Sequence, residues 1–176
     1  MKRFFSAVCC LALCSAPALA QKKAAGAAPM TDQQFVTLAA QTDMVEANLG
    51  QLAQQAASSQ AVKDYGNMLV TDHTADYKNL QQMASQANVN VPDAIDAQHN
   101  KAMIDPMQKL KGKQFDHKYI QDMVEGHTKA LAIYKKEAQD ASNSVVKSYA
   151  ENAVPVLQKH LDNAKLILQG KTPPAM

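Results

Sequence analysis

The chain has 176 residues, 18 of them Lys or Arg and 16 Asp or Glu, which gives a net charge of +2 at pH 7. Lys2 and Arg3 supply that excess, because removing them leaves 16 basic residues against 16 acidic ones. Because this remainder has equal numbers of basic and acidic residues and no basic stripe, we do not expect nucleic acid or anionic membrane surfaces as partners.

The first 20 residues are predicted to be a secretory signal peptide. A positively charged start is followed by an apolar run at 4–13 and by the small residues Ala18-Leu19-Ala20 at a cleavage site. The run is shorter than the roughly 20 residues that span a bilayer, and a retained N-terminal anchor is the alternative interpretation. No later segment is apolar enough to cross a membrane, so we expect a periplasmic or secreted protein without a transmembrane anchor in its mature chain.

All three cysteines of the chain, Cys9, Cys10 and Cys14, lie inside this predicted signal. The mature chain therefore has no disulfide and no thiolate metal site, and it must be stabilised by core packing. We predict a flexible leader at 21–30, one domain at 31–170 and a disordered tail at 171–176. That domain is long enough to bury a sizeable core.

Four long amphipathic helices are predicted in this domain. They cover residues 33–57, 58–87, 115–138 and 142–170. Thr31 and Gln34 have capping-box spacing at the first helix, and Gly170 is a typical residue after a helix end. The turns within the first and second pairs are short, so each pair must be antiparallel.

A long connection at 88–112 separates the two pairs. Pro92-Asp93, with Asp96 three residues on, and Asp105-Pro106 are helix-start signals, which predict one or two short helices there. The sequence shows no β-type alternation. The predicted fold is therefore all-α, a four-helix bundle with a long second connection that contains short helical segments.

Each of the four long helices carries one polar residue on its apolar stripe. Glu46, His73, His127 and His160 lie three or four residues from apolar neighbours of the same stripe, so each side chain is expected to point into the core. All four lie near the middle of their helices. Counted from the turn between the last two helices, His127 and His160 are offset by about 9 Å.

A buried carboxylate with two or three imidazoles, one per helix, suits a transition metal ion: Fe, Zn, Mn or Cu. Asp76, three residues after His73, is a candidate acceptor for a ring N–H of a ligand. The alternative is that the histidines are neutral core residues, bonded to tyrosine or carboxylate across the bundle. The Glu-x-x-His motif of carboxylate-bridged di-iron sites is absent, whereas haem held by two histidines, or copper at Met123 and His127, stays open.

Three glycines lie inside predicted helices, where each costs about 1 kcal/mol relative to alanine. Gly50, Gly66 and Gly126 are expected to mark close helix approach, and Gly126 has the alternative role of leaving room beside His127.

Several strings together resemble the domain-of-unknown-function family 4142. They are Asn-Met-Leu-Val-Thr-Asp-His at 67–73, Phe-Asp-His-Lys-Tyr at 115–119, Met-Val-Glu-Gly-His at 123–127 and Pro-Val-Leu-Gln-Lys-His-Leu at 155–161. The resemblance covers residues 31–168 and implies a ferritin-like four-helix bundle of the bacterial periplasm or cell envelope, with no established activity. It draws attention to Asp72, Asp116 and Tyr119, which we expect around the metal site, although Asp116 also suits a helix cap.

The favoured function is therefore metal binding in an exported protein, for metal handling or stress tolerance. The alternative is a structural or interaction module of the envelope, with an envelope protein or a second copy as partner and no metal. An enzyme is the weakest hypothesis, because no base–nucleophile pair can be identified in the sequence.

Overall fold

The computed structural model describes residues 30–174. The predicted signal peptide, residues 21–29 of the predicted leader and residues 175–176 of the predicted tail lie outside the described residues. Within residues 30–174 there is no β-strand, and no helix combines the length and the apolar character needed to cross a membrane.

Six α-helices and one π-helical turn make up the described chain. They are α1 (Asp32–Ala56), α2 (Gln60–Ala87), α3 (Ala97–His99), the π-helical turn (Asn100–Ile104), α4 (Asp105–Gln108), α5 (Gly112–Asp140) and α6 (Ser144–Leu168). The four long helices form two antiparallel hairpins, α1–α2 and α5–α6, which pack on each other chiefly through α2 and α6. The prediction of an all-α four-helix bundle is confirmed.

Two glycines allow α1 and α2 to touch through their backbones. A Cβ atom on Gly50 would lie 2.5 Å from the carbonyl oxygen of Gly66, and one on Gly66 would lie 3.0 Å from the carbonyl oxygen of Gly50. A Cβ on Gly66 would also lie 2.8 Å from the Cβ of Ala53. Real Cβ atoms essentially never approach other atoms to less than 3.0 Å, so both positions need glycine. Close approach therefore accounts for this pair, as the sequence indicated.

The connection between the hairpins lies along α1. The side-chain amide of Gln41 donates to the carbonyl of Ala94 and its oxygen accepts from the amide of Asp96, both within 3.0 Å. Pro106 occupies the first turn of α4, as predicted. Pro92 does not begin a helix: its carbonyl accepts a 2.6 Å bond from the Tyr77 hydroxyl, and the chain becomes helical only after Asp96.

Two apolar clusters fill the bundle, and the polar side chains of the core lie between them. One cluster includes Leu69 and Met123, and the other includes Leu80 and Leu131. His73 and His127 lie between these positions along α2 and α5. The tail, which is described to residue 174, contains a buried proline, Pro173.

Candidate metal centre

Three histidines from three helices meet in this polar layer. His73 of α2, His127 of α5 and His160 of α6 are 4%, 2% and 1% exposed. One nitrogen of each ring lies within 4.8 Å of the corresponding nitrogens of the other two. Within residues 30–174, these three histidines lie close enough together to hold one metal ion.

The hydrogen bonds of His127 and His160 fix which ring nitrogens carry hydrogen. His127 Nδ1 lies 2.9 Å from the carbonyl oxygen of Met123, which only accepts, so Nδ1 donates. His160 Nε2 lies 2.9 Å from Asp72 Oδ2 and likewise donates. In the neutral rings, His127 Nε2 and His160 Nδ1 therefore bear lone pairs, yet they face each other at 3.3 Å.

In its neutral form, His73 offers a third lone pair by the same reasoning. Its Nδ1 donates to Asp43 Oδ1 over 2.9 Å, and both side chains are buried. Its other nitrogen, Nε2, is buried without a hydrogen-bond partner. A buried polar atom without a partner is costly, which makes this nitrogen available to a ligand that enters the layer.

The separations between the facing nitrogens fit a small tetrahedral ion. With metal–nitrogen bonds of 2.0–2.1 Å, two ligands of such an ion lie about 3.3 Å apart. The His127–His160 pair has this separation, 3.3 Å, and one nitrogen of His73 lies within 4.8 Å of both, so His73 would move inward to bind the same ion. A fourth ligand position would remain open.

Burial keeps two of the three rings neutral. Burial and, to a lesser extent, the nearby His73 lower the pKa of His127 to about 4 and that of His160 to about 3. Burial also lowers the pKa of His73, but the bond to Asp43 and the charge of that carboxylate outweigh it, so the net shift is upward. Burial raises the pKa of Asp43 to about 7. Neutral imidazoles are the form that binds metals.

Glu46, the fourth predicted ligand, lies outside the three-histidine group. It is 4% exposed, and its Oε2 atom is buried without a hydrogen-bond partner. Burial raises the pKa of this carboxyl to about 6, against the opposing effect of His73. The side chain lines a cavity together with Gly126 and His127, and its Oε1 would lie 3.8 Å from a Cβ on Gly126.

The other residues that we expected around the metal site do not all lie beside the three histidines. Asp72 contacts His160, whereas Asp76 accepts a 2.7 Å bond from the Tyr149 hydroxyl and none from His73. Tyr119 is fully buried with its hydroxyl unpartnered.

Asp116 lies away from the three histidines, at the α1–α2 turn. Its carboxylate accepts from the backbone amides of Ser58 and Ser59 at 3.0 Å. It thus caps the start of α2 and not that of its own helix, where the sequence placed a cap, and it does not belong to the three-histidine group.

Sequence reasoning missed Asp43, the partner of His73. Asp43 is 1% exposed and lies four residues after the buried Ala39 and three before Glu46. That spacing places it on the inward face of α1, and this signal could have found it.

Comparisons with known proteins agree with this architecture. The model of a family described as "Domain of unknown function (DUF4142)" matches residues 16–167. Among solved structures, CopM in its Cu(II)-bound form has 16% identity and a TM-score of 0.65, covering 80% of this chain and 97% of CopM. CopM in its Cu(I)-bound form gives 16% identity and a TM-score of 0.66, with the same coverage.

A DUF305 fragment from Deinococcus radiodurans has 14% identity and a TM-score of 0.67, covering 79% of this chain and 95% of the fragment. At these identities the likeness shows a shared fold. A search of curated proteins found no match.

Proposed function

We propose that this chain, which belongs to the domain-of-unknown-function family 4142, is exported to the cell envelope and binds one transition metal ion through His73, His127 and His160. The observation that carries the proposal is that two nitrogens with lone pairs, His127 Nε2 and His160 Nδ1, face each other at 3.3 Å. Two acceptors at this distance repel unless a cation or a proton lies between them. The low pKa values of both rings argue against a proton there near pH 7.

The outer hydrogen bonds of the rings support the same proposal. Each histidine donates its remaining N–H to an oxygen, from Asp43, from Met123 and from Asp72 respectively. Such bonds orient metal-ligating imidazoles and increase their basicity. The carboxylates Asp43 and Asp72 would also offset part of the charge of a bound cation.

Among the ions considered, copper and zinc suit this donor set best. Three imidazoles favour Cu or Zn over Mn, which prefers oxygen ligands, and the affinity order of divalent ions places Cu(II) highest. The copper-bound forms of CopM show that a protein of this fold carries copper. We therefore propose metal handling or tolerance of metal stress, with copper as the leading ion and zinc as the second.

Elemental analysis of residues 21–176, purified without a histidine tag or chelator, tests the proposal. We expect about one Cu or Zn per chain after reconstitution, and loss of that ion in a His127→Ala, His160→Ala double variant. His117→Ala is the matched control because this histidine is exposed and lies outside the group. A folded wild type that takes up neither ion would overturn the proposal and favour a structural envelope module.

The bound ion should also stabilise the folded chain. At a free metal concentration of 100 times Kd, the free energy of unfolding should rise by about 2.7 kcal/mol. The double variant should show no such rise, whereas His117→Ala should show all of it.

A further inference from the structure

A cavity of about 190 Å³ lies between α1, α5 and the π-helical turn. It reaches from the exposed Met103 and Lys129 to the buried Glu46 and His127. A cation bound by three histidines that are at most 4% exposed must reach them through some opening of this kind. This cavity has one of the three rings, that of His127, in its wall.

Glu46 places a carboxylate at the buried end of this cavity. The residue is 4% exposed and its Oε2 atom has no hydrogen-bond partner, although the charge of His73 favours the ionised carboxylate. A buried carboxylate without a partner is costly, and a cation passing beside it would relieve that cost. Its position beside Gly126, one residue before His127, places it at the last step before the histidines.

The outer end of the cavity carries two more donors for a soft or borderline metal. His99 ends α3 and Met103 lies in the π-helical turn, and both side chains line the opening. His99 Nδ1 is bonded to Asp96, which leaves Nε2 as the remaining nitrogen of the ring. Imidazole and thioether groups are ligands of copper ions. Lys129 is paired with Glu125, so its charge at the opening is offset.

Gly126 keeps the inner part of the cavity open. A Cβ there would meet only the Glu46 Oε1 atom, at 3.8 Å, which is ordinary contact. Packing therefore does not require this glycine, unlike Gly50 and Gly66. A larger side chain would project into the space between Glu46 and His127.

We infer that this cavity is the route by which a metal cation reaches the three histidines, with Glu46 as a transient ligand on the way. The inference rests on the proposed function and adds a kinetic role for a residue outside the histidine group. A second groove, lined by Ala61, Asp72 and Lys159, lies on the opposite side of His160. A cation entering through this groove would reach the Nε2 side of the His160 ring. That nitrogen already donates to Asp72, so we assign this groove no part in metal uptake.

Stopped-flow mixing of the metal-free protein with Cu²⁺ tests the route, with quenching of tyrosine fluorescence as the signal and equilibrium titration alongside. Gly126→Leu should slow both binding and release of Cu²⁺ at least tenfold while leaving Kd within about threefold, because a blocked route changes rates and not the site. Glu46→Gln should slow binding without blocking the cavity. Ala61→Leu, which fills the second groove, should leave the rates unchanged.

The outcomes separate this inference from the proposed function. A wild type that binds no Cu²⁺ overturns both. The proposed route alone is overturned if the wild type binds Cu²⁺ but the rates are unchanged in Gly126→Leu. It is also overturned if the rates are slowed in Ala61→Leu. Circular dichroism of each variant establishes that it is folded. If Gly126→Leu does not fold, Gly126→Met serves as the second blocking variant.

Discussion

His127 Nε2 and His160 Nδ1 lie 3.3 Å apart in the core of the bundle, and each ring has already committed its other nitrogen to an oxygen outside the pair. Neither nitrogen can donate to the other while both rings are neutral. These two nitrogens thus present two lone pairs to the same small space in the core, next to His73.

Removing the carboxylate behind His160 should weaken metal binding without removing a ligand. Asp72→Ala should lower the affinity for Cu²⁺ by about 10- to 100-fold, the usual effect of losing such a partner. Asp64→Ala is the matched control, because Asp64 is exposed, lies on the same helix and contacts Gln60 instead. Isothermal titration of both variants measures the difference. Equal affinities would show that Asp72 does not orient the ring.

The pH dependence of the metal-free protein should report the buried Glu46. Its pKa is raised from the ordinary 4.5 to about 6, so the folded state binds more protons than the unfolded state in this window. The contribution of Glu46 to stability should therefore fall by about 2 kcal/mol as the pH rises from 4.5 to 6. Glu46→Gln should match the wild type at pH 4 and exceed it by about 2 kcal/mol at pH 8, measured by urea unfolding. A constant difference at both values would contradict this assignment.

Alanine at two helix glycines should change stability in opposite directions. Gly50→Ala forces a Cβ against the Gly66 carbonyl, and we expect a net loss of about 1–2 kcal/mol after the gain in helix propensity. Gly126→Ala meets no such obstacle and should gain up to about 1 kcal/mol. Urea unfolding of both variants in the metal-free state makes the comparison. A stable Gly50→Ala protein would show that α1 and α2 can separate at little cost.

Asp116 should affect stability and not metal binding. Asp116→Ala removes the acceptor of the Ser58 and Ser59 amides, which should cost about 1 kcal/mol, as for other helix caps. The affinity for Cu²⁺ should stay at the wild-type value. A marked loss of affinity would place Asp116 in the metal site, contrary to its position in the structure.

The periodicity of the apolar residues predicted the four long helices to within a few residues, because each helix buries one continuous face. The same periodicity placed His73, His127 and His160 on inward faces, where the structure has them. The predicted offset of about 9 Å for His160 was too large. With α5 ending at Asp140 and α6 beginning at Ser144, the same count gives about 4.5 Å.

What the sequence could not give is the arrangement of groups that belong to different helices. Which carboxylate reaches His73 depends on how α1 and α2 are rotated, and that rotation is set by the contact between Gly50 and Gly66. The position of Glu46 beside Gly126 depends on the packing of α1 against α5. The missed Pro92 turn has a similar origin, since its carbonyl is held by Tyr77 from another segment.

The three histidines are divided between the two hairpins: His73 belongs to α1–α2, and His127 and His160 belong to α5–α6. The hairpins meet less extensively than the helices within each of them. An ion held by all three rings would therefore link the two hairpins to each other. Metal binding would stabilise the interface between the hairpins more than the packing within either of them.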